Sequence, residues 1–179
     1  MFSEKKISEF LNQLSSDSPT PGGGTVAALS GALAASLVSM VASLTIGRKK
    51  YEGNDALYEE TIGKMKQLSE QFQEMMDEDA KAFDVVMEAL KMPKKTEEEK
   101  QLRKEKIQEA FKKATNSPVM TAEAVVKCSE YAVQMVKHGN KNAVSDAYCA
   151  VELCQAAFNM AMENVDINLN SIQDETYTK

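Results

Sequence analysis

The chain has 179 residues and is expected to form a single domain over 1–179, long enough to bury a real core. Hydrophobic residues make up 43% and charged residues 27%, which argues against a disordered chain. Lys and Arg number 21 against 27 Asp and Glu, and the net charge of −6 makes nucleic acid an unfavourable partner. With 6% aromatics, no Trp and few Pro or Gly, the sequence leans away from sandwiches and barrels and toward helices.

The first predicted element is a short helix with Ile7, Phe10, Leu11 and Leu14 on one face. It runs into Ser15-Ser16-Asp17-Ser18-Pro19-Thr20-Pro21-Gly22-Gly23-Gly24, the stretch densest in turn residues. Thr25 to Ile46 then gives 22 residues without a charge, about the length of a bilayer span. Its four Ser, two Thr, one Gly and six Ala make it only modestly apolar. Small residues recur at every fourth position (Ala27, Gly31, Ala35, Ser39, Ser43), beside a row of Leu29, Leu33, Leu37 and Val41. That pattern suits the buried central helix of a soluble bundle, wrapped on all sides, rather than a membrane helix.

A longer helix is predicted from about Asn54 to Met92, stopped by Pro93. Thr96 and Glu99 have capping-box spacing and open a fourth, highly charged helix. Asn116-Ser117-Pro118 is expected to end it and start a fifth, which closes at Gly139-Asn140. A sixth begins between Asn142 and Ser145 and passes Asn164, and the polar tail after Asp174 is expected to fray. No stretch alternates with period two, so the fold class is all-α, a bundle of about six helices around an Ala/Ser-rich core helix.

Cys128, Cys149 and Cys154 form no C-x-x-C, and with a single histidine, His138, no zinc-site spacing can be assembled. Free buried thiols in a reducing cytoplasm follow as the expectation, consistent with an N-terminus that lacks the apolar stretch of a secretory signal.

One position breaks the long third helix. Its apolar row runs Met65, Leu68, Phe72, Met75, then Phe83, Val86 and Leu90, and the place that continues it between 75 and 83 is Asp79. A carboxylate on such a stripe is either a proton-transfer group in a cavity or an edge residue rolled toward solvent or a lysine. Pro21-Gly22-Gly23-Gly24 ahead of a helix is either an anion-binding turn or a plain flexible one, and it lacks the lysine of a P-loop. Arg48, Lys49 and Lys50 either complement the end of the central helix or recognise carboxylates. Asn140, Ser145 and Asp146 form a polar corner best read as capping, and Asn164 with Asn168 puts two carboxamides on one helical face. His138, just before the Gly139 cap, suits a helix C-terminus better than catalysis.

Thr20-Pro21-Gly22-Gly23-Gly24-Thr25 leading into an Ala/Ser-rich helix resembles the cyclodeaminase domain of formiminotransferase-cyclodeaminases and its stand-alone bacterial relatives. Gly47-Arg48-Lys49-Lys50-Tyr51, Asp77-Glu78-Asp79-Ala80-Lys81-Ala82-Phe83, Met92-Pro93-Lys94, Gly139-Asn140, Ser145-Asp146 and Asn164-Val165-Asp166-Ile167-Asn168-Leu169 follow in the same order. The match runs from about Phe10 to Asp174. The resemblance implies an all-helical homodimer with a tetrahydrofolate derivative in a cleft and the catalytic carboxylate on Asp79. It places the folate near Pro21 to Gly24, Arg48, Lys49, Asn140, Ser145, Asp146 and Asn164, with no metal, cofactor, nucleic acid or membrane required. The family's catalytic histidine belongs to the transferase domain, so His138 inherits nothing, and Thr25 stands where many relatives carry Ser. The activity implied is hydrolysis of 5,10-methenyltetrahydrofolate or closure of formiminotetrahydrofolate with release of ammonia. The lack of a transferase region in this chain favours the first. A non-catalytic folate-binding or assembly module on the same fold is the alternative from a different class.

Overall fold

The computed structural model describes residues 1–178. Its first helix, α1 (Ile7–Leu14), precedes the glycine turn, α2 (Gly23–Ser43) is the uncharged helix, and α3 (Asp55–Lys91) stops ahead of Pro93. Thr96 caps α4 (Glu97–His138) as its spacing predicts. Its hydroxyl accepts from the Glu99 amide at 3.2 Å, and Glu99 Oε2 accepts from the Thr96 amide at 3.2 Å. The last helix is α5 (Val144–Leu169), and three short 3-10 turns complete the secondary structure, with no strand among the described residues.

Among the described residues there are five α-helices rather than about six, because α4 runs straight through Pro118. A proline inside a helix removes one backbone hydrogen bond and costs about 3 kcal/mol locally. Here Ala114, Thr115, Ser117, Pro118, Thr121 and Ala122 are all buried, so the packing of that face outweighs the local cost. The Thr121 hydroxyl also turns back onto the Ser117 carbonyl at 3.2 Å, and that of Thr115 onto the Phe111 carbonyl at 2.8 Å.

Helices α2, α3, α4 and α5 form a ring in which α2 and α4 each pack on both α3 and α5 and meet across the diagonal. The small-residue row does its expected work at Gly31, where a Cβ would lie 2.6 Å from Phe72 Cε1, so α2 and α3 cross in close contact. Tyr58, Met65, Phe72, Met76 and Met135 fill the centre. The wrapping of α2 is incomplete: Leu33 is 50% exposed, and Met40 and Leu44 about 40%, so an apolar stripe faces outward. By length and composition α2 matches a membrane span, with a mean hydropathy of 1.8, yet more than half of it is buried inside the bundle.

Other expectations also change on folding. The eight-residue α1 seats Phe10 and Leu14 on the core and leaves Ile7 and Leu11 outside. Cys128 and Cys154 are buried free thiols, but Cys149 is exposed. Gly139 ends α4 with φ −71°, not in the left-handed region. Its lack of a side chain answers a close approach instead, since a Cβ there would meet the Met135 carbonyl oxygen at 2.4 Å and Val41 Cγ1 at 2.8 Å. In the described part of the tail, Asp174 accepts from Lys112 Nζ at 2.6 Å and the Tyr177 hydroxyl donates to the Lys112 carbonyl at 3.2 Å.

Candidate active site

Helix α2 starts without a cap of its own, since its N-cap is Gly22 and no side chain within the turn accepts from the first amides. The group that faces those amides comes from α3. Thr25 is fully buried, and its hydroxyl donates to Asp79 Oδ2 at 2.9 Å. Gly24 lies under the same carboxylate, so close that a Cβ there would sit 2.1 Å from Asp79 Oδ1. Glycine at 24 is therefore a condition for Asp79 to occupy the positive end of α2.

Asp79 is half-buried. Burial pushes its carboxyl above the ordinary value, and the hydrogen bonds from the Thr25 side chain and backbone oppose that without cancelling it. The apolar row of α3 therefore turns a carboxylate inward, where the sequence left open a roll toward solvent.

The carboxylate stands in a cleft of about 350 Å³, within the usual range for small-molecule sites. One side is the glycine turn with Thr20, Gly22, Gly23 and Gly24. The rest is Phe83 beside Asp79 on α3, Phe111 and Ala114 on α4, and Asn164 and Asn168 on α5. Asn164 reaches within 3.2 Å of where a Cβ on Gly23 would be, and its amide donates to the Met160 carbonyl at 2.7 Å. Pro21 is buried in the same turn, behind a cis Thr20–Pro21 bond. So Pro21, Gly22, Gly23, Gly24, Asp79 and Asn164 are brought together.

Arg48, Lys49, Asn140, Ser145 and Asp146 are not. They gather at the other end of α2, about 30 Å away for 21 residues at the helical rise. Arg48 and Lys49 are exposed there. Asn140 is buried and fully engaged. Its amide N–H donates to Thr45 Oγ1 at 2.8 Å, its Nδ2 to the Leu44 carbonyl at 3.0 Å, and its Oδ1 accepts from the Asn142 amide at 3.0 Å. It thus ties the start of the last helical segment to the end of α2, and neither Asn142 nor Ser145 caps α5. Ser145 is exposed and Asp146 half-buried. His138 is exposed, and only its carbonyl is used, by the Tyr58 hydroxyl at 2.8 Å.

The family model for formiminotransferase-cyclodeaminase matches residues 6–179. The chain belongs to this family. It is 40% identical over its full length to a methenyltetrahydrofolate cyclohydrolase of Methylorubrum extorquens, covering 86% of that protein. It is 33% identical to a formimidoyltransferase-cyclodeaminase of Gallus gallus over 97% of this chain, which spans 32% of that longer protein. The crystal structure of a formiminotetrahydrofolate cyclodeaminase from Thermotoga maritima superposes with a TM-score of 0.88 at 32% identity, covering 99% of this chain and 84% of that one.

For a member of the formiminotransferase-cyclodeaminase family, the cleft joins further residues of the quoted motifs, Phe83 and Asn168, with one from outside them, Phe111. Phe83 follows Asp79 by one turn, and Asn168 follows Asn164 by one turn, so helical spacing from the two motif residues reaches both. Phe111 has no such signal. It sits in a run of lysines and glutamates that reads as a solvated face.

Proposed function

We propose that this chain hydrolyses 5,10-methenyltetrahydrofolate to 10-formyltetrahydrofolate. The observation that carries this is Asp79, half-buried at the uncapped start of α2 and open to the cleft, in a chain 40% identical end to end to a methenyltetrahydrofolate cyclohydrolase. The substrate carries a positive charge shared across N5, the bridging carbon and N10. A carboxylate in a partly dry site attracts that charge more strongly than one in water does. Water adds to the bridging carbon and gives one proton to Asp79. The bond from that carbon to N5 then breaks, N5 takes the proton back from Asp79, and the remaining hydroxyl loses its proton as the formyl C=O forms on N10. A carboxyl pushed upward by burial is suited to both transfers, because its pKa lies nearer the working pH.

The second reading is favoured by the 0.88 match to the Thermotoga cyclodeaminase. There Asp79 would take the N10 proton as N10 attacks the formimino carbon, then deliver it to the departing ammonia. Both reactions proceed without a metal or redox cofactor, and both suit a protein whose thiols remain reduced in the cytoplasm.

The functional unit is a homodimer. Leu33, Met40 and Leu44, with the half-buried Leu37, leave the outer face of α2 apolar, and this stripe from Leu33 to Leu44 is centred between Val38 and Ser39. The span from Gly24 to Arg48 is centred on Ser36, within one helical turn of that point. A two-fold axis crossing α2 there pairs the stripe with itself antiparallel and brings each glycine turn near the partner subunit's basic end. Arg48 and Lys49 would then meet the glutamate carboxylates of a folate bound beside Asp79.

The deciding experiment offers purified protein methenyl- and formiminotetrahydrofolate separately and follows the methenyl absorbance, for the parent and for Asp79→Asn. Loss of methenyl signal, abolished in the variant, supports the cyclohydrolase, and a gain with ammonia supports the cyclodeaminase. No turnover of either, or full activity in Asp79→Asn, overturns the proposal.

A further inference from the structure

Phe83 is an anomaly of placement. A phenylalanine on the core-facing row of α3, one turn beyond Asp79, should be covered, and instead it is 37% exposed and faces the cleft. Its neighbours on the row, Met75 and Val86, are buried. The opposite wall has a matching feature. Asn164 and Asn168 are one turn apart on α5 and both line the cleft. Asn164 spends its amide group on the Met160 carbonyl at 2.7 Å. Asn168, half-buried, has a carboxamide with no hydrogen-bond partner among the described residues.

A bare aromatic face and an unspent carboxamide across one cavity recognise a flat ring that has a polar edge. The aromatic supplies a stacking plane that is indifferent to substituents. The carboxamide has a donor pair and an acceptor side by side, which matches a lactam edge where N–H and C=O are adjacent. On the folate reading of this site, on which the inference rests, the planar pyrimidinone half of the pterin is such a ring. We propose that Phe83 and Asn168 are the specificity-determining pair of the cleft, Phe83 stacking on the pyrimidinone ring and Asn168 hydrogen-bonding its lactam edge. The ring then lies along the cleft between α3 and α5, with its N5 side toward Asp79, and the benzoylglutamate portion leads out of it.

The pair acts on binding of the ring and not on proton transfer. Removing either contact should therefore raise KM by roughly tenfold and leave kcat within about twofold, as expected for an interaction equally present in ground and transition states. The probes are the two halves of the substrate. Tetrahydropterin, which has the ring alone, and p-aminobenzoylglutamate, which has the tail alone, are tested as competitors in the folate assay.

Against the parent protein both should compete. In Phe83→Leu and Asn168→Ala, tetrahydropterin should lose roughly tenfold in potency while p-aminobenzoylglutamate is unchanged, and Phe83→Tyr should restore the ring's potency. Both positions line the cleft and belong to no core cluster, so neither substitution should hollow the core, which thermal melts check. Should Phe83→Leu unfold, Asn168→Ala carries the test alone. If the variants keep tetrahydropterin potency, or lose the tail probe instead of the ring probe, the inference is overturned even when the parent enzyme is active and Asp79-dependent. If the parent turns over no folate, it is the functional reading that fails.

Discussion

Gly24 and Asp79 share a space that only one of them can fill: a methyl group on Gly24 would lie 2.1 Å from Asp79 Oδ1. The two residues are 55 positions apart, and their contact joins the first turn of α2 to the middle of α3. The carboxylate takes the place of the missing cap on α2, and the helix end in turn fixes where the carboxylate points. On the proposed mechanism one contact thus serves the fold and the chemistry together.

Gly24→Ala separates those two roles. Alanine is favoured over glycine in a helix by roughly 0.5–1 kcal/mol, so the local backbone gains while the Asp79 side chain must move aside. A displacement of about 1 Å at a catalytic group can cost on the order of 10²-fold in rate. The variant should show kcat lower by about that factor with a Tm close to the parent's. Calorimetry beside steady-state kinetics checks this, and unchanged kcat would remove Asp79 from the reaction.

Asp79→Asn should be strongly impaired and, at neutral pH, more stable than the parent. Folding raises the Asp79 pKa because burial penalises the charged form. The stability Asp79 contributes is therefore fully present only below its unfolded value of about 3.9, and is lost as pH rises through the folded value. Asparagine keeps the contact with Thr25 and sheds the buried charge. The Tm of Asp79→Asn should exceed the parent's at pH 7 to 8, the gap closing as pH falls toward about 4, with kcat down roughly 10²–10⁴-fold. Melts across that pH range decide the sign.

On the proposed mechanism Thr25 tunes the pH at which Asp79 accepts a proton. Its hydroxyl, 2.9 Å from Oδ2, favours the ionised carboxylate and partly offsets burial. Thr25→Val keeps the shape and deletes the hydroxyl, so the pKa of Asp79 should rise further. The acid limb of the kcat/KM profile should then move to higher pH, with stability lower by about 1 kcal/mol. Thr25→Ser should leave the profile where it is. A Val variant whose profile superposes on the parent's would make Thr25 a packing residue only.

What could be read from the sequence divides along physical lines. Asp79 was visible because a charge in an apolar row at alternating three and four spacing has one explanation on each side, cavity or solvent, and the fold had only to choose. The all-α class followed in the same way from period. The unbroken α4 did not, because the penalty at Pro118 is local and the burial of Ala114, Thr121 and Ala122 that overrides it comes from α2, α3 and α5. Phe111 was hidden by its charged neighbours. Periodicity also gives the face of a residue but not the end of the bundle it occupies. The family resemblance groups Arg48 and Asn140 with Asp79, although α2 holds them about 30 Å apart within one chain.

That separation leads to the prediction about assembly. If each cleft is completed by the partner subunit's basic end, Asp79→Asn and Arg48→Ala damage different halves of the same composite site. Each variant alone should be impaired, Asp79→Asn in kcat and Arg48→Ala in KM for substrates with a glutamate tail. When the two are unfolded together, refolded and allowed to pair at random, half the dimers contain one chain of each kind. Such a dimer has one site with both lesions and one with neither, so activity near a quarter of the parent's should return. Leu33→Glu, at the most exposed residue of the α2 stripe, should yield monomers by light scattering and abolish the rescue. If mixing restores nothing while each variant is still dimeric, the cleft is complete within one chain and Arg48 acts elsewhere.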